Sequence, residues 1–182
     1  MSAISQTTIP AGTWAADAVH SQVGFEVAYM VGTFRGTFSP FEASLEVAED
    51  GTAKLHGSAP VAGVKVQDEN LTAHLQSPDF FDAERAPELT FVSDDVTIEG
   101  GSVAVAGEIT IKGETRPLRL TGSIGEPSTD PWGNERVGLT LSGAVDRTAF
   151  GLDWNNPLPS GEPALANEVV LTAELSLVKA QS

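Results

Sequence analysis

Apolar residues fall at every second position through most of this chain, and that period admits β-strands and little else. Val23, Phe25, Val27 and Tyr29 alternate, with Glu26 between them. Phe34, Gly36 and Phe38 continue the period. The phase then slips by one at Ser39-Pro40. Beyond it Phe41, Ala43, Leu45 and Val47 line one face, with Glu42, Ser44 and Glu46 opposite. Such a slip predicts a β-bulge or a bend. Asp50-Gly51 predicts a hairpin turn, and so do Gly100-Gly101 and Lys112-Gly113-Glu114. Between and after these turns run Leu55–Val66, Phe91–Ile98, Val103 to Ile111 and Leu118 to Ile124. A polar loop, EPSTDPWGNER, precedes Val137, Leu139, Leu141 and Val145, and the final strand carries Val169, Leu171, Leu175 and Leu177. Short strands at regular spacing read as a sandwich or an up-and-down barrel. The count is about eight, enough to close an antiparallel barrel that can hold one ligand.

One segment breaks the pattern. Asn70–Phe91 opens with Leu71 and Leu75, four apart and on one face of a helical turn. Ser77-Pro78 reads as a second helix start, Ser as N-cap and Pro at the first position, with Asp79 at the favourable dipole end. Phe80 and Phe81 follow, and Pro87 ends the detour. The expected fold is all-β: an eight-stranded antiparallel barrel with a short helical crossing that closes it.

The 182 residues suit one domain. Residues 1–12 read as a flexible lead and 13–180 as the barrel. The formal charge is −15, from 25 acidic and 10 basic residues. That argues against nucleic acid, which needs a basic footprint, and against electrostatic docking on anionic lipid. No run approaches the ~18 apolar residues that span a bilayer, so the chain is not expected to be an integral membrane protein. With no cysteine, disulfides, thiolate metal sites and Cys nucleophiles are excluded. The N-terminus lacks the basic and apolar regions of an export signal, and the expectation is a cytoplasmic protein.

Few residues offer chemistry. His20, His56 and His74 are too widely spaced for a local metal motif. His20-Ser21 cannot readily act as base and nucleophile, because neighbours on a strand point to opposite faces. His20 is better placed to bond backbone or a carboxylate near the start of a strand. No G-x-S-x-G elbow and no glycine-rich phosphate cradle occur. No catalytic residue, metal or cofactor is expected. Arg147 sits among apolar and aromatic residues in DRTAFGLDW, and a buried arginine must be paired. Asp146, Asp153 or another acid would make it a structural tie; otherwise it anchors a polar ligand head. The early apolar face, rich in phenylalanine, suits a filled core or a lipid tunnel, and the filled core is the commoner arrangement.

Five stretches, in order, resemble the YceI-like proteins, lipocalin-like barrels described as polyisoprenoid-binding. They are Trp14-Ala15-Ala16-Asp17 with Val19-His20-Ser21 and Val23-Gly24-Phe25-Glu26-Val27, then Phe34-Arg35-Gly36-Thr37-Phe38. The third runs from His74 through Ser77-Pro78-Asp79-Phe80-Phe81-Asp82 to Leu89-Thr90-Phe91. Val105 to Gly113 and Asp146 to Trp154 complete the set, and the likeness spans roughly residues 13–179. Tyr29 stands at or near a position where family members often carry histidine.

The resemblance implies a long apolar pocket for an isoprenoid or similar fatty chain, relatives having been linked to prenyl-quinones and fatty amides. It also makes a homodimer an expectation. Candidate tail contacts are Phe25, Val27, Tyr29, Phe34, Phe38, Phe91, Ile109, Leu139 and Leu171, with Leu71, Leu75, Phe80 and Phe81 at the mouth. His20 or Arg147 would meet a polar head. At roughly 0.8 kcal/mol per methylene, about forty carbons would yield ~30 kcal/mol, beyond the practical ceiling of ~20 kcal/mol. Chain length alone therefore cannot set affinity. Two other functions fit the residues: a barrel enzyme (hydrolase, isomerase or dehydratase) using His20 with a carboxylate, and an acidic stress or interaction module with a filled core.

Overall fold

The first strands show how the alternation becomes a closed wall. In the computed structural model, described for residues 9–66, 69–77, 80–152, 155 and 158–180, β1 (Gly12–Ala16) and β2 (Gln22–Tyr29) follow one another along a single line. They turn back as β3 (Gly32–Phe38) and β4 (Glu42–Val47). β2 pairs with β3 and β1 with β4, so each pair of short strands makes one long, broken stave. The second break lies at Ser39-Pro40, where the phase slips; Pro40 has no N–H for the ladder. Ser39 instead donates its N–H to the carbonyl of Gly63 at 3.0 Å.

β5 (Ala53–Pro60) pairs with β4 across the turn at Asp50 and Gly51. After a 3-10 turn at Val61–Gly63, β6 (Val64–Lys65) pairs with the end of β3. α1 (Glu69–Gln76) follows, and the chain returns as β7 (Glu88–Glu99) beside β5. The base of this excursion is pinched by the Val61 N–H donating to the Pro87 carbonyl at 2.8 Å. The second helix start expected at Ser77 does not extend into the described residues that follow it: Phe80 and Phe81 lie in turns. Pro78 and Asp79 fall outside the described residues.

β8 (Ser102–Ile111) and β9 (Glu114–Ile124) continue the meander. Their tight turn has positive φ at both Lys112 and Gly113, the twist that suits antiparallel strands. The polar loop carries β10 (Ser128–Thr129), which folds back on the start of β11 (Glu135–Asp146). β12 (Leu165–Lys179) pairs with β11 along most of its length. Its other edge takes β2 against Leu165–Glu174 and β1 against Leu177–Lys179. Counting each of the two broken staves once and setting aside the two-residue β6 and β10, eight antiparallel staves close a barrel, with α1 the one α-helix among the described residues. A bulge between Ser93 and Asp95 shifts the phase of β7, so Leu89 and Phe91 and then Val96 and Ile98 face inward.

The interior divides along the barrel axis. One end is filled by Trp14, Leu45, Val105, Val137, Leu139, Leu141 and Leu177, among others, with Trp14 and Leu177 completely buried. Ile9, ahead of β1, is also buried there, and Trp14 donates its indole N–H to the Pro10 carbonyl at 3.0 Å. The assigned lead is therefore part of the packing from Ile9 onward; residues 1–8 fall outside the described residues. The other end, beneath α1, gathers a second cluster rich in phenylalanine.

Candidate functional site: a hollow barrel end

The phenylalanine cluster does not fill its end of the barrel. Phe25 stands opposite Gly36, and a Cβ on that glycine would sit 2.5 Å from the Phe25 ring, so the missing side chain makes room for the ring. Phe34, Phe38 and Phe81 surround Phe25 with centroids 5.8–6.3 Å away. Phe81 meets Phe38 edge-on at 5.7 Å. Such tilted contacts are the favoured geometry for aromatic pairs, and here they do not close the space beneath α1. A cavity of about 230 Å³ remains.

Its wall is carbon apart from two residues, Tyr29 and Arg147. Phe25, Val27, Tyr29, Phe34, Phe38, Leu71, Leu75, Phe80, Phe81, Ile109, Leu171 and Arg147 all line it, bringing together twelve of the residues expected from sequence. After α1, the Phe81 N–H donates to the Leu75 carbonyl at 2.9 Å, turning the chain so that both phenylalanines face inward. Phe80 stacks edge-on against His74 at 4.9 Å. Leu71 is the exposed member of the wall and marks the mouth; Leu75, Phe80 and Phe81 are buried behind it.

A second chamber of about 140 Å³ lies between the hollow end and the filled one, with the exposed Glu42 and His56 among its lining residues. Phe91 lines this chamber rather than the first, together with Val23, Leu120, Leu141 and Ala173. Phe38, Leu89, Ile109 and Leu171 form walls of both.

Two expected contacts lie elsewhere. Leu139 is buried in the filled end, because it points inward too far along the axis to reach either chamber. His20 is on the surface, its side chain 63% exposed, where its Nδ1 lies 2.8 Å from an Asp17 carboxylate oxygen. The carboxylate partner near a strand start is present, but the pair does not face the cavity.

Asp17 also accepts from the Val19 N–H and from Arg136 at 2.9 Å, and Arg136 reaches Asp130 at 2.7 Å. The bonds from His20 and then Arg136 hold the Asp17 carboxyl well below the usual carboxylate range. The Arg136 bond lowers Asp130 to about 2. Arg136 is raised in turn, by Asp130 first and then Asp17. This triad ties the β1–β2 break to the β10–β11 hairpin at the filled end.

Arg147 occupies the opposite end of the same strand, in a 3-10 turn at Arg147–Phe150 that Asp146 caps. It is 5% exposed. Its guanidinium donates to the carbonyls of Leu152 at 2.6 Å, Ala166 at 2.8 Å and Leu165 at 3.3 Å. Asn155 makes two further bonds to the backbone of Leu165. Arg147 thus ties the loop after β11 to the start of β12 while its stem lines the cavity. Asp153, a partner considered for it, and Trp154 fall outside the described residues. Leu89, Ile111, Val145, Phe150, Leu152, Leu165 and Val169 complete the wall and were not anticipated. Leu89 and Ile111 do share the inward phase of their strands.

A family model for the YceI-like domain matches residues 14–177. The chain belongs to the YceI-like family. Among curated relatives, a UPF0312 protein of Staphylococcus epidermidis is 30% identical over 161 residues, covering 86% of this chain and 92% of that protein. One from Photorhabdus laumondii is 31% identical over 134 residues, covering 72% and 70%. Among solved structures, Burkholderia cenocepacia BcnA superposes with a TM-score of 0.75 at 21% identity, covering 91% of this chain and 99% of that one. A polyisoprenoid-binding domain from Saccharophagus degradans gives 0.62 at 11% identity, covering 92% and 98%. The YceI-like barrel is thus shared at identities where side chains have largely changed. Among the described residues, no helix is long and apolar enough to cross a membrane.

Proposed function

We propose that this YceI-like protein binds, without catalysis, the tail of an amphiphilic lipid, an isoprenoid or similar chain, in the hollow end of its barrel. The observation that carries the reading is the carbon-lined cavity beneath α1, with its mouth at Leu71. Apolar burial is the one interaction such a wall offers in quantity. The Saccharophagus relative, described as a polyisoprenoid-binding domain, supports the same class of ligand. Arg147 serves as a tie, its described bonds running to carbonyls and to Asn167, so the head group is expected at the mouth, in water. An enzyme built on His20 finds no support in the geometry, since that side chain lies outside both chambers. A cavity of about 230 Å³ exceeds a few methylenes and weighs against a simply filled core.

Native mass spectrometry of protein purified without detergent is the direct test, with co-purified lipid expected. Phe25→Asp places a charge in the wall and is expected to abolish uptake of a fluorescent polyprenoid. No bound lipid in the first experiment and undiminished uptake in the second would together sink the reading.

A further inference from the structure

Two charged side chains are buried among the described residues, Arg147 and Asp82. Arg147 donates to three backbone carbonyls. Asp82, 7% exposed, is the opposite case. Its backbone is engaged: the N–H donates to the Ser77 carbonyl, and the carbonyl accepts from Arg85 and Ala86. Its carboxylate accepts no hydrogen bond from a described residue. Its one ion pair among them, to Arg85 Nε, is 4.0 Å long, and the Arg85 side chain is 86% exposed. A buried carboxylate so loosely matched is costly unless something else meets it. No side-chain oxygen or nitrogen among the described residues is both sealed from solvent and unbonded. The carboxylate therefore meets solvent, through the recess that Asp82 lines.

That recess, open and of about 560 Å³, lies between the loop after α1, the β8–β9 turn and the turn that follows β11. Asp82 and Arg85 stand on one wall, Lys112 and Arg116 on another. Three of the chain's ten basic residues thus surround one recess in a chain with 25 acids. Glu114, the other acid of the lining, is taken up by Arg116 at 3.2 Å, and Lys112 reaches the Gly151 carbonyl at 3.3 Å. A buried acceptor on one wall and cations on another suit a ligand that carries both signs of charge. We propose that the recess binds a small zwitterion, with a primary ammonium against Asp82 and a phosphate against Lys112 and Arg116, the chemistry of phosphoethanolamine. The ammonium supplies the N–H donors that the Asp82 carboxylate lacks. The phosphate offers charged acceptor oxygens to a guanidinium fork and a lysine. Arg85, displaced from Asp82, turns to the same phosphate. The site does not depend on a tail in the outer chamber, although Phe150 lines both spaces. Its ligand is a free small molecule or the head of a lipid.

The experiment is an NMR titration of the full chain with phosphoethanolamine, ethanolamine, inorganic phosphate and phosphocholine, whose quaternary nitrogen has no N–H. Phosphoethanolamine is expected to shift the amides around Asp82 and Arg116 and to bind about tenfold tighter than each of the others. In Asp82→Asn its affinity should fall about tenfold, to that of phosphate, while phosphate binds as in the parent. Asparagine keeps the shape and tolerates the φ of 54° at this position. Arg116→Gln should weaken phosphoethanolamine and phosphate alike. Dihexanoyl phosphatidylethanolamine, below its micelle concentration, separates the sources. Tighter binding than phosphoethanolamine assigns the recess to a lipid head, and equal or weaker binding assigns it to a free small molecule; the zwitterion site stands in both cases. Phosphate or phosphocholine binding as tightly as phosphoethanolamine would overturn the proposal. So would an Asp82→Asn variant, folded by circular dichroism, that binds phosphoethanolamine like the parent, or the absence of any shift with millimolar phosphoethanolamine. None of these outcomes bears on uptake of a lipid tail, which the fluorescent polyprenoid measures separately.

Discussion

The two ends of this barrel follow one rule of alternation and differ in what meets at the axis. At the filled end, leucines, valines and one tryptophan interlock until Trp14 and Leu177 are wholly covered. At the hollow end, Phe25, Phe34, Phe38 and Phe81 touch one another at tilted angles and leave space between them. Strand β11 joins the ends, with Arg136 near one terminus and Arg147 just past the other. Arg136 binds two carboxylates at the rim; Arg147 is buried and holds backbone carbonyls across a loop. Close packing is thus concentrated at one end, and the other is bounded by ties around its edge.

Truncation should separate the ends most sharply. Leu177→Ala is expected to cost about 3–5 kcal/mol, because it opens a new void among fully buried neighbours. Leu171→Ala, beside space already empty, should cost about 1–2 kcal/mol. Urea melts of both variants measure the gap, and equal losses would dissolve the distinction. Next in size, Arg147→Met strips donors from the carbonyls of Leu152, Leu165 and Ala166 and should cost about 3 kcal/mol. Hydrogen exchange should rise around residues 147–166 and stay unchanged at the filled end. Gly36→Ala drives a methyl into the Phe25 ring, at a cost of about 1–3 kcal/mol, and the displaced ring should weaken uptake of a fluorescent lipid.

The smallest effect is one of pH. Asp17 and Asp130 have depressed pKa values in the fold, so their contribution is complete above the unfolded value of about 4. It is lost as pH falls toward and through their folded values, about 2 for Asp130. Thermal melts should therefore hold steady from pH 7 to 5 and fall below about 4. In Asp130→Asn part of that fall should disappear.

Much of this was legible in the residues, and the exceptions have a common cause. Alternation places Phe25, Val27, Phe38 and Leu171 inside the barrel, and the slip at Ser39-Pro40 marks the break in the second stave. Leu139 obeys the same rule and still lies in the filled end. A period of two separates inside from outside and carries no information about depth along the axis. Phe150, Leu152 and Leu165 reach the cavity from the segment after β11 and its junction with β12, where no long period announces them; Arg147 holds them there through bonds that no spacing reveals. His20 was readable in the pairing it makes, since Asp17 three residues earlier is its partner.

The two edges of β12 carry a consequence for how the molecule is assembled. One edge is completed by β11, close behind it in sequence. The other is completed by β1 and β2, from the opposite end of the chain. Closure therefore waits on the most distant contact the sequence contains, the kind that slows folding. Without residues 165–179 the remaining staves would be an open sheet with two bare edges, an arrangement prone to association with other chains. The enclosed cavity depends on that same distant contact, so any ligand present before closure would meet a surface and not a container.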